Sequence, residues 1–143
     1  MSVAVALDEL RAALDGLERA PYLVTVSDDG RPHGVAVAWG WRDDELDVPA
    51  GDRSLANAAA RPDVTLLWPA NAAGGYTLIV DATAVHAEGR GTGDNRMRLR
   101  PTRAVLHRPA RGPTGTACGA DCVPLPAAAP DAGRTGVPPA TRR

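Results

Sequence analysis

The sequence LDVPAGDRSLANAAARPDVTLLWP, residues 46–69, decides the fold that we predict for this chain. It reads as a strand, a turn, a short helix, a second turn and a second strand. Residues 46–48 are a brief apolar run, and the Pro-Ala-Gly sequence at 49–51 interrupts it. Asp52 has the chemistry of an N-cap for a helix over residues 54–60. The segment therefore predicts one short helix inserted between two strands.

The helix must end before Pro62, because proline disfavours the helical conformation of the residue before it. Residues 64–68 then have the length and branched content of a buried strand. At the helix start, unpaired backbone N–H groups, the Arg53 guanidinium and the Ser54 hydroxyl are all hydrogen-bond donors. A phosphate would also gain from the helix dipole there. The alternative is an ordinary capped helix with Arg53 in solvent, and spacing alone leaves both interpretations open.

Composition limits the chain to one small domain and excludes several classes of protein. Hydrophobic residues make up 44% of the 143 residues but only 3% are aromatic, so the core must consist of Val, Leu and Ala. The net charge of -1 indicates neither a nucleic-acid-binding surface nor a polybasic membrane surface. No apolar run reaches the length of a membrane span, and no signal peptide is recognisable, so we expect a cytoplasmic protein.

Outside residues 46–69, the spacing of the apolar residues predicts one more helix and four more strands. Leucines at positions 7, 10, 14 and 17 have the spacing of an amphipathic N-terminal helix. A glycine turn separates two β-rich runs and predicts a hairpin. Because the connections are too short for helical crossovers, the strands predict a mainly β (α+β) fold built as an antiparallel barrel. The four additional strands are residues 22–27, 32–41, 76–85 and 96–107.

The composition changes near residue 108. Residues 1–108 carry the periodic segments, whereas residues 109–143 are rich in Pro, Ala and Gly and predict a disordered tail. Cys118 and Cys122 lie in this tail. A zinc site would need two more ligands, so we assign no metal.

The stretch from Tyr22 to Ala84 resembles the pyridoxamine 5'-phosphate oxidase-like family of flavin-binding split β-barrel proteins. This resemblance implies a six-stranded antiparallel split β-barrel with an N-terminal helix and one short inserted helix. It also implies a homodimer in which the partner subunit closes the cofactor pocket. The matching features are the LVTV strand at 23–26, the hairpin DGRPH at 29–33, the apolar strand at 35–39, Arg53-Ser54, Ala56-Asn57 and RPDV at 61–64.

The function that the resemblance implies is that of an FMN-dependent oxidoreductase acting on a small-molecule substrate. Arg53 and Ser54 would bind the cofactor phosphate, Ser54 standing where the family more often has Lys. The ring would lie along His33, Val35 and Val37. Deazaflavin is the alternative cofactor. The same barrel would also suit a non-catalytic protein that carries flavin, deazaflavin or haem, or a family member without a cofactor.

No catalytic residue follows from the sequence. His86 and His107 have no carboxylate or nucleophile at the spacing of a catalytic motif, and motifs for hydrolytic chemistry are absent from the sequence. His33 follows a turn, where it would either contact a cofactor or face solvent. Pyridoxamine-phosphate oxidase activity itself is not expected, because the Arg-x-His pattern of that enzyme's C-terminal segment is missing. The three tryptophans fit core or interface positions better than contacts to a cofactor ring.

Overall fold

The computed structural model describes residues 2–88 and 95–108, without the side chains of residues 86–88. The predicted tail at 109–143, with both cysteines, lies outside the described residues. No helix in the described part is long and apolar enough to cross a membrane. The elements are β1 (Ser2–Val5), α1 (Leu10–Asp15), β2 (Tyr22–Val26), β3 (Pro32–Ala36), β4 (Gly40–Arg42), β5 (Glu45–Pro49), α2 (Asp52–Ala60), β6 (Asp63–Trp68), β7 (Thr77–Glu88) and β8 (Arg96–His107).

The described strands form one antiparallel sheet in the order β3-β2-β6-β7-β8-β5-β4, and β1 pairs with the end of β8. β3 and β4 lie at the two ends of this order, yet only residues 37–39 join them. A connection of three residues places the end of β3 at most about 14 Å from the start of β4. In a flat sheet, the first and seventh strands would lie about 29 Å apart. The sheet must therefore curl into a barrel, which is left unpaired between β3 and β4.

The mainly β architecture with two helices is confirmed, but the described chain contains eight strands where six were predicted. β1 was not predicted because it exists through pairing with β8, with Val3 opposite Leu106, and not through a local apolar period. The predicted strand at 32–41 divides into β3 and β4, since its first part pairs with β2 and its last part with β5.

The core lies inside the curled sheet and is built from alternating positions on the strands. Leu46, Leu66 and Leu99 are fully buried, as expected for inward-facing strand positions. α1 adds Leu10 and Leu14 from outside the sheet. The N-terminal helix is thus confirmed but shorter than predicted, because it covers Leu10–Asp15 whereas the sequence predicted a helix with leucines from position 7 to 17 that ends near residues 19–21.

An ion pair between Asp47 on β5 and Arg96 on β8 should make stability depend on pH. Arg96 donates to the Asp47 carboxylate from Nε at 3.0 Å and from Nη2 at 2.7 Å. These hydrogen bonds hold the pKa of Asp47 below its ordinary value of 3.8. Because the folded-state pKa is the lower one, the pair stabilises the fold above about pH 4 and loses this contribution as pH falls through the folded-state pKa.

We therefore expect Asp47→Asn to unfold a few degrees below the wild type at pH 7, with the difference shrinking as the pH drops below about 4. Thermal unfolding between pH 2 and pH 7 measures this. Asp15→Asn is the control, because Asp15 is an exposed carboxylate of α1. A constant difference across that range would contradict the prediction.

Candidate functional site

The start of α2 is tied to the beginning of β8. Gly51 is the N-cap residue and Asp52 the first helical residue, so the predicted N-cap at Asp52 was wrong by one position. The Asp52 carboxylate accepts a hydrogen bond from Asn95 Nδ2 at 2.5 Å instead of capping the helix backbone. The Ala50 N–H donates to the Asn95 carbonyl at 3.0 Å. These two contacts fix where the helix begins.

The start of α2 is open to solvent at Gly51 and Arg53. The first bond of the helix runs from the Leu55 N–H to the Gly51 carbonyl at 3.0 Å, so the N–H groups that precede Leu55 lie outside this ladder. A Cβ atom placed on Gly51 would meet no atom within 4 Å. Arg53 is exposed, whereas Ser54 is only 2% exposed. Of the two predicted phosphate ligands, Arg53 is the one that faces solvent.

Three polar residues at positions i, i+4 and i+8, two on α2 and the third at its C-cap, lie on the side of the β2–β3 hairpin, and we call Arg53, Asn57 and Arg61 the α2 polar row. Asn57 Nδ2 donates to Thr25 Oγ1 on β2 at 3.0 Å, in a buried position. Arg61 pairs with Asp28 of the hairpin turn at 2.8 Å. Within the described residues the Arg53 side chain forms no hydrogen bond, so it is the member of the row that is left for a ligand.

The charge of Arg53 affects Asp29 in the turn of the β2–β3 hairpin. The pKa of Asp29 is lowered, chiefly by the hydrogen bond from the Ser27 hydroxyl and to a smaller extent by the Arg53 charge. Asp29 is itself paired with Arg31 at 3.2 Å on the surface. The nearest carboxylate of the turn is therefore already paired with another guanidinium.

His33, Val35 and Val37, the predicted ring contacts, lie on and just beyond β3. His33 is directly opposite Thr25 in the antiparallel register, and Val35 is opposite Leu23 on β2. Cross-strand neighbours share a face of the sheet, and both β2 partners are fully buried. His33 and Val35 are half-buried beside these partners, while Val37 is 8% exposed and belongs to the core.

The structure thus brings His33 and the α2 polar row together through Thr25. Neither Thr25 nor Asn57 was singled out as a site residue from the sequence. The sequence does contain a signal for Thr25, because a polar residue at an inward-facing position of the LVTV strand needs a hydrogen-bond partner. The tryptophans lie elsewhere: Trp68 is fully buried, and Trp39 contacts it edge-on at 5.4 Å between ring centroids.

The Asn57–Thr25 hydrogen bond should hold α2 in place over the hairpin. We expect Asn57→Ala to destabilise the protein by about 1–3 kcal/mol, because it leaves a buried hydroxyl without its donor. Chemical denaturation of Asn57→Ala, Thr25→Val and the double variant measures the coupling. If the two single effects add fully in the double variant, the bond does not connect helix and hairpin as described.

Comparison with solved structures places this architecture in a known class. A candidate pyridoxamine 5'-phosphate oxidase from Listeria innocua is similar with a TM-score of 0.56 and 16% identity, covering 70% of this chain and 96% of that one. An FMN-binding protein from Syntrophomonas wolfei gives a TM-score of 0.56 at 12% identity, covering 73% of this chain and 88% of that one.

Two further solved structures share the fold. An F420 reductase gives a TM-score of 0.51 at 21% identity, covering 62% of this chain and 91% of its own. HutZ, a haem storage protein from Vibrio cholerae, gives 0.52 at 17% identity, covering 71% of this chain and 94% of its own. The chain shares the split β-barrel fold of these proteins, and the predicted resemblance is confirmed at the level of the fold.

Two relatives in sequence come from mycobacteria. An uncharacterized protein of Mycobacterium bovis and one of Mycobacterium tuberculosis are each 42% identical over 134 residues, covering 83% of this chain and 93% of each relative. No protein-family model matches the chain. The chain belongs to one family with these mycobacterial proteins.

Proposed function

We propose that this protein binds FMN at the start of α2 and acts as a flavin-dependent oxidoreductase on a small-molecule substrate. The observation that carries the proposal is Arg53, an exposed guanidinium without a hydrogen bond to a described residue, beside an open helix N-terminus. Solved proteins of the same fold include an FMN-binding protein and an F420 reductase, which supports a flavin-type ligand.

The residues at this position fit a phosphate. The free N–H groups of the first helical turn and the Arg53 fork are donors, and the helix dipole favours an anion at that end. Each hydrogen bond to a charged group contributes about 1.5–3 kcal/mol. Ser54 is buried, so we assign its side chain to packing α2 against the barrel and its backbone N–H to the phosphate site.

His33 and Val35 are the residues that we propose for contact with the flavin ring. They lie half-buried on β3, an edge strand of the described sheet, on the face that also carries Thr25. A bound flavin supplies electron and hydride transfer, while the protein binds, orients and shields it from water. Since β3 is an edge, a second subunit is needed to cover the ring, and we propose a homodimer.

The test is the absorption spectrum of the purified full chain, before and after incubation with FMN. We expect the visible bands of a bound oxidised flavin, which should bleach anaerobically when a reduced nicotinamide cofactor is added. Bound flavin that resists every such reductant would instead favour a non-catalytic carrier. A Soret band after incubation with haem, without flavin binding, would favour the haem alternative that the likeness to HutZ suggests. Sedimentation of the FMN-loaded protein as a monomer would contradict the dimer.

A further inference from the structure

A second concave site lies at the other end of β5 from α2. A cavity of about 330 Å³ opens between the residues that precede and begin α1, the β4–β5 hairpin and the middle of β8. This volume is within the range of small-molecule sites, about 300–1,000 Å³. Its wall carries an apolar part, formed by Leu7 and Leu10, and a charged part. Leu7 is 47% exposed, which makes the apolar part accessible.

The charged part of the wall contains two carboxylates and two guanidiniums, from Asp8, Asp44, Arg11 and Arg100. Within the described residues, Asp8 and Asp44 form neither a hydrogen bond nor an ion pair. Both are exposed on turns that lead into the cavity. The wall therefore offers two carboxylates that are available to a cationic group.

The guanidiniums of the wall are only partly neutralised. Arg100 pairs with Glu45 at 3.0 Å, and Arg98 pairs with the same carboxylate at 2.5 Å and with Asp43 at 4.0 Å, so Arg100 shares its one carboxylate partner with a second guanidinium. Arg11 donates to the Asp43 carbonyl at 2.7 Å and lies 4.2 Å from the centre of the Trp41 ring. Neither of these Arg11 contacts is to a carboxylate. The wall thus also attracts an anionic group.

Trp41 also lines the cavity. Its indole Nε1 is buried and has no acceptor among the described residues. The N–H therefore lies below the surface of the wall, and its resonance can report on a ligand in the cavity without contacting it.

We propose that this cavity binds a small zwitterion with an apolar body, of the class of aliphatic α-amino acids. The carboxylate of the ligand meets Arg11 and Arg100, and its ammonium group meets Asp8 and Asp44. A ligand with one sign of charge would be repelled by one of these pairs, whereas a zwitterion matches both. Affinity is modest, on the order of millimolar, because ion pairs that stay exposed to solvent contribute little. The proposal does not rest on the flavin function.

The experiment is a titration of the full ¹⁵N-labelled chain with L-leucine, followed through the indole N–H resonances of the three tryptophans. We expect a saturable shift of the Trp41 resonance, assigned with Trp41→Phe, and none for Trp68, whose Nε1 is buried in the core. Two matched ligands, 4-methylpentanoate and 3-methylbutylamine, each lack one charge and should bind about tenfold more weakly. Absence of a saturable Trp41 shift, or equal binding of the three ligands, overturns the proposal.

Paired variants locate the charges. Arg100→Gln should weaken L-leucine binding several-fold, whereas Arg103→Gln, on the same strand but paired with Asp81, should not. Asp44→Asn should reduce the preference for L-leucine over 4-methylpentanoate, and Asp8→Asn together with Asp44→Asn should abolish it. An unchanged Trp68 resonance shows that each variant is folded. Arg100→Gln and Arg103→Gln variants with equal affinity would contradict the assignment.

Discussion

Replacing Arg53 by alanine should weaken FMN binding about 10- to 100-fold while changing riboflavin binding by no more than about threefold. The two ligands share the ring and differ in the phosphate, so their ratio isolates the contribution of the helix start. A charge-assisted pair contributes about 1.5–3 kcal/mol, and each 1.4 kcal/mol is a factor of ten. Equilibrium titrations of both ligands against wild type and variant give the ratio.

Two features of the structure make this variant interpretable. Arg53 is exposed and its side chain forms no hydrogen bond within the described residues, so its removal should leave the fold intact. Arg42→Ala is the matched control, because Arg42 is also exposed but lies on β4, at the end of the β4–β5 hairpin remote from α2. Equal losses of FMN and riboflavin affinity in the Arg53 variant, or a comparable FMN loss in the Arg42 variant, would remove the phosphate role.

Trp68→Ala should destabilise the barrel by about 3–5 kcal/mol, the largest stability effect that we expect from a single substitution in this chain. Trp68 is fully buried at the end of β6, opposite Leu78 on β7 and edge-on to Trp39. The chain has three Trp, two Tyr and no Phe, so few other aromatic side chains are present to fill the cavity that the substitution would leave. Chemical denaturation monitored by circular dichroism measures the loss.

The comparison with Trp68→Phe separates packing from polarity. The Trp68 Nε1 is buried without a hydrogen-bond acceptor among the described residues, so phenylalanine removes an unfavourable group as well as some contact area. We expect Trp68→Phe to lose less than half of what Trp68→Ala loses. If phenylalanine proves as damaging as alanine, the indole N–H has a partner that matters for stability.

Local chemistry predicted the segment from β5 to β6 well. The predicted cap at Asp52 and the predicted stop before Pro62 fall within one or two residues of the ends of α2, because caps and prolines act through the nearest backbone. The start of the helix, and with it Arg53, could therefore be identified from the sequence alone. The family resemblance supplied the phosphate hypothesis for this position.

Long-range contacts decided what the sequence could not. Whether Ser54 faces solvent depends on how α2 rotates on the barrel, and that rotation is fixed by the bond from Asn57 to Thr25, 32 residues away. β1 likewise depends on its pairing with β8, near the far end of the described chain. The charged cavity beside α1 combines residues from three separate segments, so no local sequence pattern predicts it.

The most direct test of the central claim is a crystal structure of the full chain grown with FMN. We predict electron density for the phosphate at the start of α2, within hydrogen-bond distance of the Arg53 guanidinium and of the first free N–H groups of the helix. Density for FMN with its phosphate elsewhere on the barrel, with Arg53 still in solvent, would contradict the account.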